Sequence, residues 1–205
     1  MIEFLTNWLE IPILGVVAAG GILILVHDRV KGIAGLTVQY GCVAWLLTGI
    51  VPLQVVGIKL FAGLLTALIL FSTQRTRASL GGSSLAEFET GRSFRAIAYF
   101  LIMIASYGIF SSGWLSLPIS NERLLLGAIL LVGSGLLQVG IFQQPYSIGL
   151  GLITLISGFE ILYTGLEPSL AMVALLAAVH VGLALVISYM ELIVPPSRTN
   201  AGEAE

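Results

Sequence analysis

Apolar residues run along this chain in seven long blocks, at approximately 8–26, 32–51, 54–72, 96–115, 123–142, 147–166 and 169–193. Each block is close to the roughly 20 residues that a helix needs to cross a hydrocarbon core. The blocks are continuous rather than alternating every second residue, which predicts helices and not barrel strands. Two junctions are short and carry proline: Val51-Pro52-Leu53-Gln54 and Leu166-Glu167-Pro168. Proline at the start of a helix forfeits no internal hydrogen bond, so both junctions predict tight helical hairpins.

Composition agrees with the pattern. Hydrophobic residues make up 57% of the 205 and charged residues only 10%, where soluble domains carry about 25% charged residues. The fold class predicted is an all-α integral membrane protein of about seven transmembrane helices. A net charge of −2 gives no reason to expect a nucleic-acid partner; membrane lipid is the expected surroundings. With seven spans, Arg29, Lys31, Arg75, Arg77, Arg92, Arg95 and Arg198 share one side, and Arg123 alone lies on the other. The excess of basic residues predicts that side to be cytoplasmic, with the N-terminus outside and the C-terminus inside. Residues 1–10 hold Glu3 and Glu10 but no Lys or Arg, unlike a cleaved signal peptide. The single cysteine, Cys42, has no CxxC or Cys/His spacing and reads as a packed helix residue.

The longest polar break, 73–95, carries Gly81-Gly82-Ser83-Ser84 and four arginines. It divides the chain into an N-terminal three-helix unit (1–72), a cytoplasmic loop (73–95), a linking helix (96–115) and a C-terminal three-helix unit (123–193). A polar tail (194–205), beginning near Pro195-Pro196, is expected to be disordered. The loop reads as a flexible connector or as a docking surface for a soluble partner. The first three spans resemble a diverged copy of the last three. Both units share the helix order, a proline-marked hairpin and an ionisable residue midway along the third helix (Lys59, His180), giving a possible 3+1+3 arrangement.

Three ionisable side chains fall deep inside apolar blocks: Lys59, Glu160 and His180. A charge near the centre of a spanning helix costs about 2.5–3.5 kcal/mol on insertion scales, so each needs a partner, a water-filled cavity or a proton of adjustable occupancy. Helical spacing puts Ser157, Glu160, Thr164 and Glu167 on one face of the sixth span. Ala177, His180, Ala184, Ser188 and Glu191 share a face of the seventh, and Lys59, Gly63 and Thr66, with Ala62 beside them, a face of the third. The second span offers Gly35, Gln39 and Cys42, and the fifth Ser134 and Gln138. The polar members among these fit interhelical hydrogen bonding, and the 24 glycines fit close helix packing. A structural Glu–Lys or Glu–His pair is one reading of the three charges, and a path for protons or cations is the other. Imidazole suits proton transfer near neutrality.

The run Gly158-Phe159-Glu160-Ile161-Leu162 resembles the middle helix of the small membrane subunit of respiratory complex I, chain 4L or the K-type subunit. The following Leu175-Leu176-Ala177-Ala178-Val179-His180-Val181-Gly182-Leu183-Ala184-Leu185 resembles that family's Ala-rich helix. Related subunits occur in Mrp-type cation/proton antiporters and membrane-bound hydrogenases, and the length looks most like the hydrogenase-4 component E branch. The resemblance covers roughly residues 123–191. His180 stands where the family has a second buried acid, and the last hairpin is shorter than in the K-type subunit. A protonatable group is kept with its charge states reversed.

The resemblance implies a non-catalytic subunit of a proton- or cation-translocating assembly, partnered by larger antiporter-like membrane subunits. Its home would be a bacterial-type inner membrane or a thylakoid membrane. Glu160, His180 and Lys59 would form the ion path, supported by Gln39, Ser157, Thr164 and Gln138. With no haem motif and no Gly-rich nucleotide loop in the chain, no cofactor or catalytic site is expected, and redox chemistry would belong to partners. The alternatives are a stand-alone small transporter with a substrate site between two three-helix units, Lys59 binding an anionic group, and a structural or assembly subunit.

Overall fold

A computed structural model describes residues 2–26, 28–48, 50–79, 91–113, 121–167 and 169–193, with side chains from residue 11 onward. Seven helices form among them: α1 (Ile2–Leu25), α2 (Arg29–Leu47), α3 (Leu53–Ser79), α4 (Arg92–Ser111), α5 (Glu122–Ile141), α6 (Pro145–Leu166) and α7 (Leu170–Ile193). Helices α2 to α7 are each long and apolar enough to cross a membrane, and no β-strand occurs among the described residues. This is an all-α, multi-pass membrane protein. The Gly81–Ser84 stretch, Trp114, Pro168, Arg198 and the tail from 194 lie outside the described residues.

Local chemistry sets the helix starts. The Asp28 carboxylate accepts a hydrogen bond from Val30 N at 2.9 Å, and the Asn121 side chain accepts one from Arg123 N at 3.1 Å, so both cap otherwise unpartnered N–H groups. Pro145 occupies the first turn of α6, where its missing N–H costs nothing. The ends differ from the apolar blocks in one instructive place. Helix α3 continues seven residues past 72, to Ser79, where Thr73 bonds Ser188 and Arg77 bonds Glu191 on α7. Lys59 is therefore the seventh residue of a 27-residue helix, in its first third rather than midway along it.

The helices pack in two layers of three. Neighbours in one are α1, α2 and α3; neighbours in the other are α5, α6 and α7. Each helix also meets its counterpart across the layers, α1 on α5, α2 on α6 and α3 on α7, while α4 lies at the edge against α5 and α1. Bridging hydrogen bonds give the register: Tyr146 to Arg29 spans 117 residues, Thr154 to Gln39 spans 115, and Thr73 to Ser188 spans 115. Arg77 to Glu191, spanning 114 residues, adds a second α3·α7 bond, and near-constant spacing along both α2·α6 and α3·α7 means these counterparts run parallel. The α5–α6 contact is close enough that a Cβ at Gly135 would lie 2.6 Å from Leu155 N, so the helices touch backbone to backbone.

Most of α4 faces outward, with Arg95, Tyr99 and Ser106 its buried residues. Arg95 donates to Ile24 O at 2.8 Å and the Tyr99 hydroxyl to Val17 O at 2.5 Å. Both bonds hold α4 to α1. Two apolar clusters fill the interior. One gathers Val43, Leu47, Val55, Leu131, Ile161 and Val173 towards the end carrying the two proline hairpins. The other gathers Leu36, Leu70, Leu150, Ile153, Ala184 and Ile187 towards the arginine-bearing end.

Candidate functional site

Lys59, Glu160 and His180 come from three different helices and converge between these two clusters. The Lys59 ammonium donates to Glu160 Oε2 in an ion pair, and His180 Nδ1 lies 3.9 Å from the same oxygen. None of them reaches the surface: relative exposures are 2% for Lys59, 0% for Glu160 and 1% for His180. Each charge meets its partner only because α6 presents Glu160 to both α3 and α7.

The imidazole is held at both nitrogens. His180 Nδ1 sits 2.8 Å from Leu176 O, which fixes a proton on that nitrogen. Its Nε2 lies 3.1 Å from Ser157 Oγ, which itself lies 2.9 Å from Ile153 O. A hydroxyl has one hydrogen and two lone pairs, so this contact accommodates two states. With neutral His180, the Ser157 hydroxyl donates to Nε2. With the imidazolium, Nε2–H donates to Ser157 Oγ and the serine turns its hydrogen to Ile153 O. Neither change requires a helix to move.

Tyr40 completes the site on the α2 side. Its ring packs edge-on against the His180 imidazole, centroids 5.7 Å apart, and lies 5.6 Å from Lys59 Nζ. Gly63 makes this possible, since a Cβ there would stand 2.6 Å from Tyr40 Cγ. Several polar atoms of this region are buried without a hydrogen-bond partner: Glu160 Oε1, Tyr40 Oη, Thr66 Oγ1, Thr164 Oγ1 and Gln39 Nε2. A buried polar group left unpaired costs about 1–3 kcal/mol, and ordered water is its usual remedy.

A second charged group closes the arginine-bearing end. Arg29 donates to Glu191 Oε2 at 2.7 Å, and Arg77 bonds the same oxygen and also Glu191 O at 2.8 Å. Arg29 further reaches Gln144 Oε1 at 3.4 Å and stacks over the Tyr146 ring. Just inside, the Thr73 hydroxyl meets Ser188 Oγ at 2.7 Å.

Of the supporting residues expected from sequence, Ser157 touches His180, and Thr164 lies one helical turn from Glu160 on the same face. Gln39 meets α6 further along, with Thr154 Oγ1 3.5 Å from its Oε1. Gln138 lies elsewhere, its Cβ against Gly151 in the α5–α6 contact. Glu167, placed on the Glu160 face by spacing, follows the last turn of α6 and is exposed. Sequence reasoning missed Tyr40, and it missed buried Arg29 and half-buried Arg77 as partners of Glu191. The stripe Leu36, Tyr40, Val43, Leu47, all buried, carried the signal for Tyr40. No protein-family model matches this chain, and no curated protein or solved structure does either.

Proposed function

We propose that this protein is a non-catalytic membrane subunit of a proton- or cation-translocating assembly, of the complex I-like, membrane hydrogenase-like or Mrp antiporter-like kind. In it Glu160 and His180 pass protons while Lys59 holds the counter-charge. The observation carrying this reading is the convergence of a carboxylate, an ammonium and an imidazole in one fully buried contact. The likeness of Gly158–Leu162 and Leu175–Leu185 to the K-type subunit supports it. In this reading the chain crosses the membrane seven times as 3+1+3, its arginine-bearing end is cytoplasmic, and its N-terminus lies outside.

The chemistry is a charge exchange. A proton arriving at Glu160 Oε1 neutralises the carboxylate and frees the Lys59 ammonium from its partner. Nδ1, the nitrogen nearest Glu160, already carries a hydrogen, so the proton passes on through bound water to His180 Nε2, where the Ser157 hydroxyl reverses its hydrogen bond. Glu160 is then ionised again beside two cations, and the cycle closes when the imidazole proton passes to a further acceptor. Larger antiporter-like subunits would supply the driving force.

The Lys59–Glu160 pair by itself also fits a structural brace. His180 on the same carboxylate, and an unpartnered second carboxylate oxygen, go beyond what a brace needs. A substrate-binding transporter fits less well, because Lys59 is already engaged by Glu160. Purification in mild detergent tests the proposal. Recovery with large antiporter-like membrane proteins supports it, and recovery as a monomer without large partners overturns it.

A further inference from the structure

The strongest unexplained feature of the interior is Tyr40. Buried tyrosine usually places its hydroxyl in a full hydrogen bond, yet Tyr40 is 1% exposed and its Oη, which faces the Thr66 hydroxyl, reaches no partner in good bonding geometry. Tyr146 offers a direct contrast, since at 2% exposure its hydroxyl donates to Arg29 O at 3.3 Å. Helical side chains lean towards their own N-terminus, and α2 begins at the arginine-bearing end. The Tyr40 hydroxyl is thus carried away from the Lys59–Glu160–His180 contact towards that end. Thr66, the residue one α3 turn beyond Gly63 in the same direction, is fully buried with Oγ1 also unpaired. Beyond them the apolar cluster of Leu36, Leu70, Ala184 and Ile187 intervenes before Thr73 and Ser188.

We propose that the Tyr40 and Thr66 hydroxyls, with bound water beside them, form the first step that carries a proton from the Glu160–His180 contact towards the arginine-bearing end. This rests on the relay reading given above. Each hydroxyl acts by exchange: it accepts a proton at a lone pair and gives its own hydrogen to the next oxygen. One proton advances, and neither side chain gains or loses charge. Two unpaired hydroxyls on neighbouring helices give a water the several polar partners it needs in a buried site. Tyr40 then has two roles, its ring packing the imidazole in place and its hydroxyl carrying the proton past it.

Radiolytic hydroxyl-radical footprinting of the full chain in lipid nanodiscs tests the hydration, because buried side chains are oxidised where bound water lies beside them. Tyr40 is expected to be oxidised about ten times faster than Tyr146, and Thr66→Val to reduce that excess. Equal, slow oxidation of both tyrosines overturns the proposal. The proton step is read by infrared spectroscopy after a pH jump on the arginine-bearing side, using the carboxyl band absent from Glu160→Gln. Tyr40→Phe is expected to slow its response about tenfold, whereas Tyr163→Phe leaves it unchanged. An equally fast response in Tyr40→Phe overturns this step alone. A wild-type band that ignores the jump overturns the relay reading and this step with it.

Discussion

Replacing Lys59 by methionine removes one charge from a contact in which neither partner reaches solvent. Breaking a buried ion pair in this way costs about 3–5 kcal/mol. Glu160→Gln strands the Lys59 ammonium in turn and should cost a similar amount. Equilibrium unfolding in mixed micelles, followed by circular dichroism, measures both losses. The double variant Lys59→Met/Glu160→Gln should recover most of the loss, giving a coupling energy of about 3 kcal/mol, against about 0.6 for an ordinary interhelical hydrogen bond. Single losses that simply add in the double variant would show that the two side chains do not support each other.

Other substitutions test the surrounding architecture. Gly135→Ala would put a methyl group 2.6 Å from Leu155 N; the overpacking should cost about 1–3 kcal/mol in the same unfolding assay, whereas Gly140→Ala, in open space, should cost nothing measurable. Glu191→Gln strands two guanidinium groups together and should cost about 3–5 kcal/mol. Lys31→Gln, at an exposed site, should stay within about 0.5 kcal/mol of wild type. Tyr99→Phe deletes the bond to Val17 O and should lower stability by about 1 kcal/mol, seen as a lower midpoint in the mixed-micelle titration.

The helices were legible because each is a continuous apolar block, and the polar faces because helical spacing is fixed. Lys59, Ala62, Gly63 and Thr66 are all buried, as are Ala177, His180, Ala184, Ser188 and Glu191. Which face meets which could not be read from spacing, since it depends on the order of helices around the bundle. Hence a Glu–Lys or Glu–His pair stood as one reading of the three charges, while the meeting of both cationic partners on one Glu160 oxygen could not be read from spacing. The arginines misled for a related reason. Arg29, Arg77 and Arg95 mark a polar break by composition, yet long side chains can turn inward from a helix end to a carboxylate or a carbonyl. Arg77 shows the consequence, because its bond to Glu191 belongs to the extra turns of α3 that an apolar count ends too early.

Whether Glu160 passes protons is decided by proton translocation of the intact assembly in membrane vesicles, wild type against Glu160→Gln. Loss of a positioned proton-transfer group typically lowers a rate by about 10²–10⁴-fold. The account predicts a fall of at least about tenfold in a variant that still assembles with its partners. Undiminished translocation by fully assembled Glu160→Gln would contradict it.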